Sequence, residues 1–152
     1  MSAVSDNVKK KRILDPIEEF SLPSKFRMAR KAAFESRFQP ERRAKLGAAI
    51  FKGGSFILCG NNKRKSHPTV SKYTIDVGSR KRYVVVHAET DAIFRAPTNL
   101  EDTSVYVWRE DSYGKPLIAK PCEMCMDLLS MNKVKEVLYT TSAFPYWGKE
   151  RI

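Results

Sequence analysis

The sequence YVVVHAETDAIFRAP at residues 83–97 predicts a helix directly after an apolar segment. Four apolar or aromatic residues lead into His87, and the apolar positions then follow helical spacing from Ala88 to Ala96. Pro97 helps to end that helix, because its ring fixes φ and it has no backbone N–H. His87 and Glu89 therefore fall where an apolar segment passes into a helix.

A second helix is predicted to open with the sequence PCEMC at residues 121–125. Proline is tolerated in the first turn of a helix, so we expect this one to begin at Pro121 and to run to about Met131. Cys122 and Cys125 are three residues apart, which places both sulfur atoms on one helix face, about one turn apart. The positive end of the helix dipole, and a metal ion, would favour the thiolate form of these cysteines.

The remaining segments indicate one more helix, a hairpin and two strands. We predict a helix from Ser24 to about Phe38, a hairpin of Leu46–Phe51 and Ser55–Cys59 joined across Lys52-Gly53-Gly54, and strands at Thr103–Trp108 and Glu136–Thr140. Helices and strands in this order are typical of a layered α/β domain with a mixed sheet. The polar stretch from Gly60 to about Arg82 is long for a structureless loop, so we expect it to be functional or partly ordered.

Length and charge limit the class of protein. The chain has 152 residues, which suits one domain, and we divide it into a basic N-terminal extension, residues 1–23, and a folded domain, residues 24–152. Its net charge of +11 favours phosphorylated or polyanionic ligands without deciding between them. No apolar run approaches the ~20 residues that a membrane span needs, and no secretory signal is present, so we expect a cytoplasmic protein.

The three cysteines are more suited to metal binding than to disulfides. An odd, low count without a secretory signal argues against a disulfide framework. Cys59 follows three apolar residues and is interpreted as a small buried apolar residue. One histidine and two thiolates suit zinc better than calcium or magnesium, and three protein ligands leave the fourth tetrahedral position for water, as in catalytic sites.

Other interpretations of these motifs have less support. A Cys-x-x-Cys pair also occurs in structural zinc knuckles and redox pairs, but a second cysteine pair is missing and the only other histidine is His67. Glu89 comes two residues after His87, and inside a regular helix such neighbours point in roughly opposite directions. The two side chains can share a site only if His87 lies at the junction before the helix, where Glu89 would act as a proton shuttle.

Together, His87-Ala88-Glu89 and Pro121-Cys122-x-x-Cys125 resemble the signature of the cytidine and deoxycytidylate deaminase superfamily. The resemblance covers about residues 44–141 and is strongest to nucleotide deaminases of the deoxycytidylate type. It implies a three-layer α/β fold, in which helices cover both faces of a mixed sheet of four to five strands. The fifth strand would have to come from Ser142–Trp147, where Pro145 disfavours a central position.

The resemblance also implies roles for individual residues. It assigns the Zn²⁺ ligands to His87, Cys122 and Cys125, the general acid/base to Glu89, and substrate contacts to the Ala88 backbone and to Asn62, since Gly60-Asn61-Asn62 is similar to the family's Gly-x-Asn. Glu89 would take a proton from a zinc-activated water, then protonate the ring nitrogen and the leaving amine. The products would be ammonia and a uracil-type base.

Three functions are compatible with these residues. The first is deamination of a free cytosine nucleotide, with dCMP to dUMP the best single choice, and Lys63, Arg64 and Lys65 would hold its phosphate unless they form only a solvated loop. The second is deamination of single-stranded DNA or tRNA, favoured by the positive charge. In that case Phe144, Tyr146 and Trp147 would stack on bases, where the alternative is core packing or a subunit contact.

The third function is a zinc-containing binding module without activity. The presence of Glu89 argues against it, because a structural zinc site needs no carboxylate at that position. For an enzyme we expect a small-molecule nucleotide substrate, possible contact with nucleic acid, no membrane association and a homo-oligomeric assembly.

Overall fold

The computed structural model describes residues 12–35, 45–61, 75–77, 80–82, 88–96 and 99–152. The helices in these parts of the chain are α1 (Pro16–Glu19), α2 (Phe26–Glu35), α3 (Ala88–Arg95) and α4 (Glu123–Met131). The strands are β1 (Lys45–Lys52), β2 (Ser55–Asn61), β3 (Ile75–Val77), β4 (Arg80–Arg82), β5 (Thr103–Glu110), β6 (Glu136–Thr140) and β7 (Trp147–Arg151). None of the described helices is long and apolar enough to cross a membrane.

The main sheet has five strands in the order β2-β1-β5-β6-β7. Strand β1 is antiparallel to both β2 and β5, β5 and β6 are parallel, and β7 is antiparallel to β6. The predicted mixed sheet is therefore confirmed. Strands β3 and β4 form a separate antiparallel ribbon within the polar stretch that was expected to be partly ordered.

Helices cover both faces of this sheet, as predicted. Side chains alternate between the two faces of a strand, so along β5 Val105 and Val107 belong to one apolar cluster and Tyr106 and Trp108 to the other. Helices α3 and α4 pack on the valine side, and α2 packs on the aromatic side through Phe26 and other residues of its buried stripe. The result is a three-layer α/β domain with two cores.

The predicted position of the fifth strand, Ser142–Trp147, is wrong. Strand β7 starts only at Trp147, and residues 141–146 form a turn closed by a 2.9 Å hydrogen bond from the Thr141 N–H to the Tyr146 carbonyl. Pro145 has no N–H to donate to a β-ladder, so the chain turns before it can pair. Strand β7 then adds to the open side of β6 as an edge strand, in agreement with the expectation that this segment would not be central.

Helix α4 begins two residues later than predicted. Its first residue is Glu123, and Cys122 is the N-cap with extended backbone angles. Pro121 therefore lies just before the helix, and not in its first turn. This shift places the first cysteine at the helix boundary and the second inside the first turn.

Part of the segment before residue 24 is packed onto the domain. Asp15 caps α1 by accepting hydrogen bonds from the Ile17 and Glu18 N–H groups, and its carboxylate lies 3.0 Å from Arg27 of α2. Ile17 and Leu22 are buried in the α2-side cluster. The division of the chain at residue 23 stays a prediction, and Lys9, Lys10 and Lys11 lie outside the described residues.

Candidate active site

Three of the predicted signature residues, Glu89, Cys122 and Cys125, lie at the starts of α3 and α4, which contact each other on one face of the sheet. Glu89 is the second residue of α3, and Cys122 and Cys125 frame the start of α4. Helix N-termini present unpaired backbone N–H groups and the positive end of the helix dipole. Two such ends therefore face the same region.

Glu89, Cys122 and Cys125 interact directly. Burial is the main cause that raises the pKa of the Cys125 thiol, and the neighbouring Glu89 and Cys122 raise it further through charge and through hydrogen bonds. Only 3% of Glu89 and 0% of Cys125 is exposed, whereas Cys122 is exposed. The structure thus brings together three of the predicted site residues, although Glu89 lies 33 positions before Cys122 and 36 before Cys125 in the sequence.

Ala88 and Gly60 bring β2 against the start of α3. Ala88 is fully buried, and the backbone of Gly60 lies so close to it that an added Cβ would collide with the Ala88 carbonyl oxygen and lie 2.6 Å from the Ala92 nitrogen. Only glycine permits this approach of a strand to a helix. The described part of the predicted Gly-x-Asn motif is therefore next to the first turn of α3.

Several predicted site residues lie outside the described part of the chain: His87, Asn62, Lys63, Arg64 and Lys65. Among the described residues, no group of three or more His, Cys, Asp or Glu side chains could hold a metal ion. The predicted ligand set needs His87 as its third member, so the described residues contain two of its three ligands.

The C-terminal aromatic residues divide into two groups. Tyr146 packs against Phe20 with ring centroids 4.6 Å apart, and both Tyr146 and Trp147 are partly buried against the α2-side core. Phe144 is 87% exposed. Core packing therefore accounts for two of the three side chains that were considered for base stacking.

Cys59 is separate from the two signature cysteines. It lies on β2, half-buried on the α2 side, and its thiol donates a 3.3 Å hydrogen bond to the Met28 carbonyl. Burial raises the pKa of this thiol to about 11. Its surroundings agree with the interpretation of a packed residue more than with that of a metal ligand.

Sequence reasoning assigned no role to Asp91 and Arg95, two further residues of α3. The Asp91 side chain is fully buried, and it forms an ion pair with Arg95 and accepts a hydrogen bond from the backbone of Asn61. The available signal was the spacing of an acid and a base four residues apart on one helix. That spacing normally indicates an exposed pair of little consequence.

Comparison with known proteins adds a family and a fold. Residues 23–141 match the sequence model of the family described as "Cytidine and deoxycytidylate deaminase zinc-binding region". None of the curated proteins searched matches this chain.

Two similar solved structures are of the dCMP deaminase from the cyanophage S-TIM5. The apo form has a TM-score of 0.52 and 19% identity, over 87% of this chain and 89% of that one. The complex with dCMP and dUMP has a TM-score of 0.52 and 18% identity, over 85% of each chain. At such low identity this likeness establishes the fold.

Proposed function

Since this chain belongs to the cytidine and deoxycytidylate deaminase family and is a deaminase, we propose that it uses Zn²⁺ to convert dCMP into dUMP and ammonia. The observation that supports this most directly is that Cys125 interacts both with buried Glu89 and with Cys122, at the starts of two helices. A proton-transferring carboxylate and two soft metal ligands are the groups that hydrolytic deamination of a base requires.

The described donor groups fit zinc. A thiolate buried beside a carboxylate is unfavourable, because burial and like charge both oppose ionisation, unless a cation compensates. We propose that Cys122, Cys125 and His87 hold Zn²⁺, a ligand set that leaves one tetrahedral position open. Bound zinc supplies a water nucleophile, with the pKa of that water lowered from ~15.7 to about 7.

Glu89 is proposed to move the protons of the reaction. Its carboxylate would accept a proton from the attacking water and deliver it to the ring nitrogen of cytosine. Glu89 would then take a second proton from the hydroxyl group added at C4 and pass it to the exocyclic amine, so that the C4–N bond breaks, the C4 carbonyl forms and ammonia leaves. Such general acid–base catalysis contributes about 10²- to 10⁴-fold to a rate. Burial of the side chain keeps solvent from exchanging these protons during the reaction.

The choice of a free nucleotide rests on three considerations. A protein of similar fold was solved with dCMP and dUMP bound. Lys63, Arg64 and Lys65 follow Asn62 in the sequence and are proposed to bind the 5′-phosphate by charge-assisted hydrogen bonds. Asn62 and the Ala88 backbone are proposed to hold the sugar or base.

A polynucleotide substrate is the second candidate. The net charge of +11 favours it, and so does the 87% exposure of Phe144, which leaves that ring open to a base. The packing of Tyr146 and Trp147 against the core weakens the argument for a polynucleotide substrate, because base stacking needs free ring faces.

We also propose that the protein is cytoplasmic and forms a homo-oligomer.

A substrate panel tests the choice between these candidates. We would measure kcat/KM for deoxycytidine, dCMP and a short single strand at low and moderate salt. For a free-nucleotide enzyme, neutralising Arg64 or Lys65 should raise KM for dCMP much more than for deoxycytidine, equivalent to about 1.5–3 kcal/mol. For a polynucleotide enzyme, single neutralisations should be mild and affinity should fall steeply with salt. If the strand reacts fastest and dCMP no better than deoxycytidine, the proposed substrate is wrong.

A further inference from the structure

Among the described strands, β2 lies at an edge of the main sheet, and its outer backbone groups have no described strand beside them. Two of these groups are the Cys59 carbonyl and the Asn61 N–H, which are two residues apart and therefore point to the same side of the strand. A neighbouring strand would supply one donor and one acceptor to such a pair. No described strand of the sheet supplies either partner.

Asp91 and Arg95 of α3 take the place of that strand. The Asp91 Oδ2 atom accepts a 3.1 Å hydrogen bond from the Asn61 N–H, and the Arg95 Nη2 group donates to the Cys59 carbonyl. The two side chains also bind each other, with Arg95 Nε 3.2 Å from Oδ1 and Nη2 3.0 Å from Oδ2. The paired side chains of Asp91 and Arg95 thus bind both of these backbone groups, the Asn61 N–H and the Cys59 carbonyl.

This contact holds the end of β2 from two directions. On one side Asp91 is fully buried, and it lies on the same helix as Glu89, only two residues further on. On the other side the Asn61 side chain donates a 3.2 Å hydrogen bond to the Ala32 carbonyl at α2. The close approach of Gly60 to Ala88 and Ala92 fixes the spacing between strand and helix.

We propose that Asp91 is a positioning residue, which fixes the end of β2 relative to the helix that carries Glu89 and so sets the affinity for the nucleotide. The proposal rests on the proposed function, because Asn61 directly precedes Asn62, the residue proposed to contact the substrate. Asp91 touches no reacting atom in this scheme. Its removal should therefore affect substrate binding much more than the chemical step.

The test compares zinc-loaded wild type with Asp91→Ala and Asp91→Asn, using dCMP as substrate. Asp91→Ala should raise KM about tenfold while kcat stays within about threefold of wild type. Asp91→Asn keeps an oxygen that can accept a hydrogen bond from the Asn61 N–H, so its KM should be close to that of wild type. If Asp91→Ala leaves KM within about twofold of wild type, or lowers kcat alone, the positioning role is wrong.

A matched control separates positioning from simple loss of stability. Thr103 is buried, and its hydroxyl donates a 2.6 Å hydrogen bond to the Leu100 carbonyl at the opposite end of β5 from the site. Thr103→Ala should lower the melting temperature without changing KM. If Asp91→Ala does not fold, Arg95→Ala, at a side chain that is 43% exposed, should still raise KM by about threefold. An unchanged KM in Arg95→Ala would then overturn the proposal.

A second readout is independent of catalysis. Amide hydrogen exchange at Asn61, measured by NMR in the substrate-free protein, should be about tenfold faster in Asp91→Ala than in wild type and unaffected in Thr103→Ala. If wild type fails to deaminate dCMP but exchange at Asn61 is faster in Asp91→Ala, the proposed function is wrong, whereas the role of Asp91 in holding the end of β2 is supported. If Asp91→Ala leaves the exchange rate at Asn61 unchanged, Asp91 does not hold the end of β2 and the positioning role is wrong.

Discussion

Two glutamate side chains are buried to almost the same extent, with 2% of Glu110 and 3% of Glu89 exposed. Glu110 ends β5, and its Oε1 atom accepts from Arg30 Nε at 2.8 Å and from Trp108 Nε1 at 3.0 Å. Glu89 lies on α3, on the opposite face of the sheet from α2, and interacts with the Cys125 thiol in the first turn of α4. The two carboxylates differ in their neighbours and not in their burial.

The difference separates a carboxylate that stabilises the fold from the one that we propose to transfer protons. A guanidinium and an indole N–H both donate to Glu110 and hold it in one geometry. The Cys125 thiol beside Glu89 is a weak donor, and burial, followed by the neighbouring carboxylate, raises the pKa of that thiol. This contrast supports the proposed role of Glu89 in proton transfer, whereas Glu110 fastens β5 to α2.

The largest effect is expected from replacing Glu89. Glu89→Gln keeps the size of the side chain but removes its ability to carry protons, so kcat for dCMP should fall about 10²- to 10⁴-fold. Zinc content and melting temperature should stay close to wild type. Steady-state kinetics and elemental analysis of the same preparation provide the check. Substantial residual turnover would reject the proton-transfer role, and loss of zinc would make Glu89 a ligand.

The matched change on the other side is Glu110→Gln, which should act on stability alone. Loss of a charged acceptor for Arg30 and Trp108 should cost about 1.5–3 kcal/mol of unfolding free energy. For a domain of this size that corresponds to a fall of about 2–4 °C in melting temperature per kcal/mol. Thermal unfolding and kcat/KM of the folded variant are the measurements. A fall in kcat as large as that of Glu89→Gln would remove the distinction between the two carboxylates.

Local pattern was sufficient to predict most of the fold. Strand β6 was predicted with its observed bounds, and β1, β5 and α3 to within two residues, because each has a clear apolar period bounded by polar residues or proline. The cysteine spacing also predicted that two thiols would meet at a helix start. Family membership then follows from residues 23–141, which include the whole signature.

What could not be predicted depends on contacts between distant segments. Strand β7, with the sequence WGKER, has no apolar alternation and is a strand because β6 offers it an open edge. Asp91 and Arg95 have the spacing of an ordinary surface pair, and only the edge of β2 makes the carboxylate a buried acceptor. Glu110 and Arg30 are 80 positions apart, so no local pattern relates them.

Deamination is proposed to depend on a zinc ion bound by the thiols of Cys122 and Cys125, the second of which interacts with Glu89. The most direct measurement is the zinc content of the purified chain together with its rate of ammonia release from dCMP, for wild type and for Cys125→Ser. We expect about one zinc per chain in wild type, and loss of both metal and turnover in the variant. Wild-type protein that is free of zinc and still releases ammonia from dCMP would contradict the account.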